Sequence, residues 1–65
     1  MKIAILDFAS GTLYVRDVPK KMQKKEAEDI ADHFAIELDI KIKDCEWMVC
    51  PNMGISIEAN DHDQN

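Results

Sequence analysis

Residues 2–18 decide the fold and read Lys-Ile-Ala-Ile-Leu-Asp-Phe-Ala-Ser-Gly-Thr-Leu-Tyr-Val-Arg-Asp-Val. Both ends of this stretch, residues 2–8 and 12–18, are rich in side chains that favour strands. The loop between them contains Gly11, which can take a positive φ, and Pro19 ends the second run. Two such runs joined by a short glycine-containing loop predict a β-hairpin.

Downstream of the hairpin, from about Met22, the spacing of the apolar residues becomes helical. One apolar stripe at this spacing is formed by Ala27, Ile30, Ala31, Phe34 and Leu38. Such a stripe predicts an amphipathic helix of about four turns that ends near Leu38. Residues 36–43 alternate strictly between apolar and polar, so a strand there is the main alternative. If the helix does end near Leu38, Ile40 and Ile42 become anchors of the connection that follows it.

Two further β-rich segments complete the predicted fold. Residues 45–50 form the first, a turn cluster at residues 51–54 closes it, and residues 55–58 alternate as an edge strand does. We therefore predict an α+β fold in the order ββαββ, with a mainly antiparallel four-stranded sheet and one amphipathic helix on one face. The expected organisation is a single domain over residues 1–59 and a polar, disordered C-terminal tail over residues 60–65.

Size and charge limit the classes of function. At 65 residues, the chain is near the lower limit at which a hydrophobic core is stable alone, although its 46% hydrophobic share is ordinary for a globular protein. Thirteen acidic against eight basic residues give a net charge of −5, which argues against nucleic acid and anionic membranes as partners. No apolar run is long enough to span a membrane and no signal peptide is recognisable, so the expected compartment is the cytoplasm.

One local exception to the acidic charge is formed by Lys20, Lys21, Lys24 and Lys25. These lysines could contact a phosphate group. We expect them instead to lie on a solvated helix face, because Lys24–Glu28 and Lys25–Asp29 have the i,i+4 spacing of helical ion pairs.

The cysteine and histidine residues invite a test for zinc, but their spacing does not support it. Cys45 and Cys50 make one loose pair, whereas structural zinc sites usually use two closely spaced pairs. On a regular strand, a separation of five places the two sulfurs on opposite faces, which also disfavours a disulfide. His62 lies in the predicted tail. We expect no metal, and small buried thiols at both cysteines.

No catalytic constellation is evident. Residues 5–13 share features with the phosphatase motif in which an apolar strand precedes Asp-x-Asp-Gly-Thr, but the second Asp is absent and the spacing is shifted by one residue. Asp7 interrupts an apolar strand, and we expect its side chain to cap the turn rather than to catalyse a reaction. His33 is expected to be a surface histidine rather than an acid or base. We predict no catalytic residue, no cofactor and no small-molecule ligand.

The strands carry more apolar surface than one helix can cover. The first strand places Ile3 and Ile5 on one face, and on the other it places Ala4, Leu6 and Phe8. Because a single helix covers one face of the sheet, we expect a second subunit or another protein on the open face. The predicted interface consists of Trp47, Tyr14, Ile3, Ile5 and Val49. The alternative is a bent sheet whose loops bury these residues within one monomer.

Three segments carry a resemblance to a protein family: residues 3–8, Ile-Ala-Ile-Leu-Asp-Phe; residues 13–19, Leu-Tyr-Val-Arg-Asp-Val-Pro; and residues 44–49, Asp-Cys-Glu-Trp-Met-Val. The chain resembles a group of short bacterial proteins that begin with a Lys-x-x-x-Leu-Asp-Phe strand and carry a Cys-x-Trp-Met segment before a short last strand. The resemblance covers most of residues 1–58 and implies the predicted fold with an acidic central helix. The family has no established activity, so the resemblance implies no chemistry.

We therefore expect a non-enzymatic protein-interaction module that self-associates through its sheet face, as a homo-oligomer, or that binds a protein partner there. The alternative is an acidic inhibitor that mimics the charge of nucleic acid and occupies a basic groove on another protein. That charge would come from acids of the helix and its flanks, namely Glu26, Glu28, Asp29, Asp32, Glu37 and Asp39. Lysines that alternate with these acids argue against the inhibitor.

Overall fold

The structure of the protein is a computed structural model, and it describes residues 1–57. The bounds of its strands and helix are Lys2–Asp7 for β1, Thr12–Asp17 for β2, Ala27–Leu38 for α1 and Cys45–Cys50 for β3. Short 3₁₀ turns lie at Lys20–Met22 and Ile42–Asp44. The α+β class is therefore confirmed. The predicted tail at residues 60–65 lies outside the described residues, as do the last two residues of the predicted domain.

The predicted hairpin is confirmed. β1 and β2 pair antiparallel, with Ile5 opposite Tyr14 and Asp7 opposite Thr12. Gly11 takes a φ of 71° in the turn, and its N–H donates to the carbonyl oxygen of Asp7 at 2.8 Å. A side chain would strain this left-handed backbone, so the turn requires glycine.

The sheet has three strands in the described part of the chain, in the order β2-β1-β3, and both pairings are antiparallel. The predicted four-stranded ββαββ arrangement is wrong, because residues 53–57 form no strand and Ile55 and Ile57 are 55% and 88% exposed. In a hairpin closed by residues 51–54, Ile55 would lie opposite Cys50, on the face away from α1. Ordering a strand costs about 1–2 kcal/mol per residue, and two isoleucines that gain no cover from the helix do not offset this cost.

The helix begins at Ala27, later than the predicted start near Met22. Met22 lies instead in a 3₁₀ turn, and its carbonyl oxygen accepts the N–H of Lys25 at 3.0 Å. A helix that began at Met22 would place Lys24 and Lys25 in its first turn, where the helix dipole disfavours positive charge, whereas a start at Ala27 places Glu28 and Asp29 there. The two predicted lysine–carboxylate pairs are absent from residues 1–57, because Lys24 and Lys25 precede the helix.

The helix ends at Leu38, as predicted. Asp39 takes a left-handed conformation (φ 57°, ψ 47°), and the N–H of Ile40 donates to a helix carbonyl oxygen at 2.9 Å. Bonds of this kind satisfy the last turn of a helix. The alternative strand at residues 36–43 is wrong, whereas the half-buried Ile40 and Ile42 do anchor the connection against the core.

The core lies between α1 and one face of the sheet. Its buried apolar residues are Ile3, Ile5, Val18, Met22, Ile30, Ala31, Phe34 and Cys45. Ile3 and Ile5 of β1 are fully buried, and Ile30 of α1 is 2% exposed. Burial of a side chain of this size contributes about 1.5–3 kcal/mol. Because α1 packs on this side alone, the opposite face of the sheet has no cover from the helix.

Candidate interaction surface

The structure places the predicted interface residues on the face that α1 covers. Ile3 and Ile5 are fully buried, and the other three, Tyr14, Trp47 and Val49, are half-buried against the same core. A second subunit therefore cannot reach the two isoleucines without displacing the helix. The alternative prediction was that these residues are buried within one monomer, and Ile3 and Ile5 are buried in this way. The helix buries them, however, and not a bent sheet with its loops.

The opposite face of the sheet, here called the open face, is the apolar surface that remains. The strand registers align its side chains in rows that run across β3, β1 and β2. The first row contains Met48, Ala4 and Val15, and the second contains Glu46, Leu6 and Leu13. A third row, of Cys50, Lys2 and Asp17, closes one end of the face. The first two rows are apolar except for the glutamate, so the apolar area is continuous across all three strands.

The large side chains of the open face are well exposed. Leu13 is 59% exposed, Met48 is 53% exposed and Leu6 is 38% exposed. Together with Ala4, Glu46 and Trp47 they border a shallow hollow of about 200 Å³. The helix α1 packs on the other face and leaves these side chains open to water. Single exposed apolar residues are normal on protein surfaces, but a contiguous apolar patch marks an interaction site.

Charged groups lie at the margin of the open face and leave its centre apolar. The ammonium group of Lys2 pairs with the carboxylate of Asp17 at one corner. This hydrogen bond and the positive charge of Lys2 lower the pKa of Asp17. The pair is exposed, so it contributes little to stability. The ion pair affects which partners can bind. A partner on the open face must either leave the Lys2–Asp17 pair in contact with water or place opposite charges beside it.

Sequence reasoning did not identify Leu13 and Met48 as candidate interface residues. A weak signal for their side of the sheet exists, because three of the five charged strand residues fall on the open face, at Lys2, Asp17 and Glu46. Charged residues are rarely buried, so the face that collects them is the face that a helix leaves uncovered. This signal can be read only after the strand registers are known.

Asp7 caps the hairpin turn, as predicted. The residue is 5% exposed, and its carboxylate accepts hydrogen bonds from the N–H of Ala9 at 3.0 Å and from the hydroxyl of Ser10 at 2.8 Å. An aspartate that bonds the N–H two residues further on stabilises a turn. The Sγ of Cys45 lies 3.9 Å away on the buried side. These contacts account for a carboxylate in an otherwise apolar strand.

The two cysteines are free thiols, and their places in the strand register put them on opposite faces, as their spacing predicts. Cys45 is buried in the core, whereas Cys50 is half-buried in the end row of the open face, so the expected burial holds for Cys45 only. Burial raises the pKa of the Cys45 thiol, and the negative charges of Asp7 and Asp44 raise it further. No group of three or more potential metal ligands occurs in residues 1–57, and His62 lies outside them.

Two other hollows lie away from the open face. One, of about 640 Å³, is lined by residues near the end of β1 and the start of β3, including Phe8 and Lys43. The other, of about 280 Å³, lies beside α1 and includes His33 among its lining residues. The His33 side chain is 49% exposed and its Nε2 lies 3.5 Å from the carboxylate of Glu37, while its ring packs edge-on against Phe34. His33 is a surface histidine, as predicted, and Asp7 lines neither hollow.

No protein family model, curated protein or solved structure matches the chain. The resemblance to short bacterial proteins therefore stays a prediction. Within residues 1–57, α1 is too short and too polar to cross a membrane, and no other helix there is a candidate.

Proposed function

We propose that the protein is a non-enzymatic protein-interaction module that associates with a second copy of itself through the open face of its sheet. The observation that supports this is the contiguous apolar surface of Leu6, Leu13, Val15 and Met48 on the side away from the helix. Exposure of apolar surface to water costs about 25 cal/mol per Å², and association removes that exposure.

A second copy is a suitable partner because the open face is complementary to itself. A two-fold axis that runs parallel to the sheet and across its strands, midway between two packed open faces, sets the row of Met48, Ala4 and Val15 against the same row of the second copy. The same rotation brings Lys2 of each copy beside Glu46 of the other. The middle rows of the two copies are then in apolar contact at the axis. The row of Lys2 and Asp17 of each copy faces the row of Glu46, Leu6 and Leu13 of the other, so the pairing of Lys2 with Glu46 favours this symmetric arrangement.

Sedimentation equilibrium tests this proposal. The wild-type chain is expected to form a reversible oligomer at concentrations of about 0.1–1 mM, because small interfaces give weak association. Met48→Lys places a charge in the row at the two-fold axis, where the same charge of the second copy meets it. Because desolvation of an unpaired charge is costly, the dissociation constant should rise by at least about tenfold, towards the 7.4 kDa monomer.

Ile36→Lys is the matched control, because Ile36 is 81% exposed on α1 and lies away from the sheet. It makes the same change in charge, and it should leave association unchanged. A wild-type chain that stays monomeric at about 1 mM contradicts the proposal. Equal weakening of association by the two substitutions contradicts it as well.

The acidic inhibitor is a second candidate, and one observation favours it. The sequence of α1 contains four acids, Glu28, Asp29, Asp32 and Glu37, and no lysine. The neighbouring lysines precede the helix rather than alternate along it, which removes the objection that the sequence raises. An acidic helix of this kind can complement a basic groove on another protein.

A pull-down from the native cell separates the two candidates. Capture of a partner that is lost on the double substitution Asp29→Lys and Asp32→Lys, but retained on Met48→Lys, supports the inhibitor. The reverse pattern supports the open-face module. Both sets of variants replace exposed residues, so their folding can be verified by circular dichroism before the comparison is made.

A further inference from the structure

Backbone hydrogen bonds define which groups of β3 point away from the sheet. The N–H of Phe8 donates to the carbonyl oxygen of Asp44 at 3.1 Å, and this pair continues the register of β1 with β3. In an antiparallel ladder, hydrogen-bonded pairs alternate with non-bonded pairs. Counting from Asp44, the even-numbered residues of β3 bond β1, whereas Trp47 and Val49 present their N–H and C=O groups outward. In residues 1–57, no backbone hydrogen bond reaches these outward groups.

The two edges of the sheet differ in their protection. On β2, the guanidinium of Arg16 donates to the outward carbonyl oxygen of Val15 at 3.0 Å, and Asp17 adds a second charge to that strand. On β3, Glu46 is the only charged residue of six, and the strand contains neither proline nor lysine. Charged side chains and proline are the usual means by which an edge strand avoids pairing with another chain. β3 is therefore the edge that can accept a further strand.

We infer that the β3 edge pairs with β3 of a second copy, antiparallel, so that two three-stranded sheets join into one sheet of six strands. This inference rests on the proposed self-association and adds a second contact to it. A two-fold axis perpendicular to the sheet at Met48 sets Trp47 of each copy opposite Val49 of the other. In each such pair, the N–H of Trp47 donates to the C=O of Val49 and the N–H of Val49 donates to the C=O of Trp47. The two pairs together give about four backbone hydrogen bonds.

The second copy is the occupant because the free edge is complementary to itself over a defined length. Pro51 has no N–H to donate, and the N–H of Cys45 is already bonded to the carbonyl oxygen of Ile42. The outward N–H groups that remain on β3 are those of Trp47 and Val49, and the two-fold pairing satisfies both. On the helix side, each half-buried Trp47 then contacts a Val49, and such aromatic and β-branched pairs stabilise sheets.

The edge pairing also supplies the area that the open face lacks. Three strands of six residues, about 4.8 Å apart with about 3.4 Å per residue, give the open face a footprint of about 290 Å². Stable interfaces bury about 800 Å² on each partner. Joining two sheets at β3 doubles this footprint to about 580 Å² before the relief of the side chains is counted, and it sets the two apolar rows of Met48, Ala4 and Val15 end to end. Two such six-stranded sheets, packed at their open faces, form a closed tetramer.

Amide hydrogen exchange on the wild-type protein tests the edge directly. The amide of Met48 bonds β1 and should be protected at every concentration. The amides of Trp47 and Val49 should become protected only as the protein associates, with exchange slowed at least about tenfold between about 10 μM and 1 mM. The outward amides of Leu13 and Val15 on the β2 edge should exchange rapidly throughout, and they are the internal control.

An N-methyl group on the backbone nitrogen of Val49 provides the second measurement. It removes the outward N–H and blocks the edge, while the side chain and the bonds to β1 are kept. The chain can be assembled from synthetic segments joined at Cys45. We expect association weakened at least about tenfold, because two hydrogen bonds are lost for each pair of copies. The same modification at Val15 is the matched control and should leave association unchanged.

The outcomes separate this inference from the proposed function. Concentration-dependent protection of Trp47 and Val49, with a selective effect of N-methylation at Val49, supports the edge pairing. Association in which these two amides stay unprotected overturns the edge pairing and leaves the open-face interface standing. A wild-type chain that does not associate overturns both.

Discussion

Replacement of Asp7 by alanine should destabilise the protein by about 2–3 kcal/mol. The carboxylate accepts hydrogen bonds from the N–H of Ala9 at 3.0 Å and from the hydroxyl of Ser10 at 2.8 Å, and a weak one from the thiol of Cys45 at 3.9 Å. The first two are bonds to a charged acceptor, which contribute about 1.5–3 kcal/mol each. The total falls below the sum of these contributions, because Ala9 and Ser10 are exposed and water replaces part of what is lost. A chain of 65 residues is stable by about 3–10 kcal/mol, so the effect is a large fraction of the whole.

Urea unfolding, followed by the fluorescence of Trp47 against the core, measures this free energy. Asp7→Asn keeps an oxygen for the N–H of Ala9 and should lose about half as much as Asp7→Ala. Asp17→Ala is the matched control, because it also removes a strand carboxylate, but an exposed one whose ion pair contributes little.

A double-mutant cycle with Ser10→Ala makes the test specific to the cap. The effects of Asp7→Ala and Ser10→Ala should sum to more than the effect of the double substitution, because both remove the same hydrogen bond. The capping argument is refuted if Asp7→Ala costs no more than Asp17→Ala, or if the two effects in the cycle are fully additive.

Three further predictions concern the core, the helix end and the buried thiol. Ile5→Ala should cost about 2–5 kcal/mol in urea unfolding, whereas Ile36→Ala, at an exposed helix position, should change stability by less than about 0.5 kcal/mol. Asp39→Gly should stabilise by roughly 0.5–1 kcal/mol and raise the urea midpoint, because glycine takes the left-handed conformation without strain and a negative charge leaves the helix C-terminus. Stability should fall as pH rises above about 8.5, because the Cys45 thiol ionises in the unfolded chain at a lower pH than in the fold. Unfolding measured from about pH 7 to 10 should show that Cys45→Ala flattens this fall.

The parts of the fold that the sequence predicts are those determined by neighbouring residues. The hairpin follows from two β-rich runs and from Gly11, whose positive φ the turn requires. The helix end follows from the last residue of the apolar stripe, and Asp39, a residue that tolerates the left-handed conformation, stands directly after it. At the turn and at the helix end, a single local conformation both pairs the backbone hydrogen-bonding groups and fits the pattern of apolar residues.

Two parts of the fold were predicted wrongly, the start of the helix and the fourth strand. Both depend on competing free energies that the spacing of apolar residues does not reveal. The start of the helix is set by charge, because the helix dipole disfavours Lys24 and Lys25 in a first turn and favours Glu28 and Asp29 there. The fourth strand has the right alternation, but Ile55 and Ile57 would meet no cover beside β3 on the face away from α1. Alternation shows that a segment can form a strand, whereas pairing depends on what the rest of the fold offers to it.

The candidate site was predictable only in part. An uncovered apolar face follows from a first strand that is apolar on both sides and from a single helix. Which face the helix takes does not follow, because the side of Ile3 and Ile5 and the side of Ala4 and Leu6 are both apolar. The helix packs on the two isoleucines, which fill the space beneath Ile30, and the smaller Ala4 is left on the open face. Packing volume contributes to that choice together with charge, because Lys2, Asp17 and Glu46 all remain on the open face.

The open-face interface is tested most directly by the access of a dissolved paramagnetic probe to the methyl groups of Leu13 and Met48, with Ile36 as reference. These side chains belong to residues that are 59%, 53% and 81% exposed in the monomer, so the probe should relax all three in dilute solution. At about 1 mM, we predict that the relaxation of Leu13 and Met48 falls several-fold while that of Ile36 is unchanged. Equal relaxation of all three at every concentration would contradict the interface.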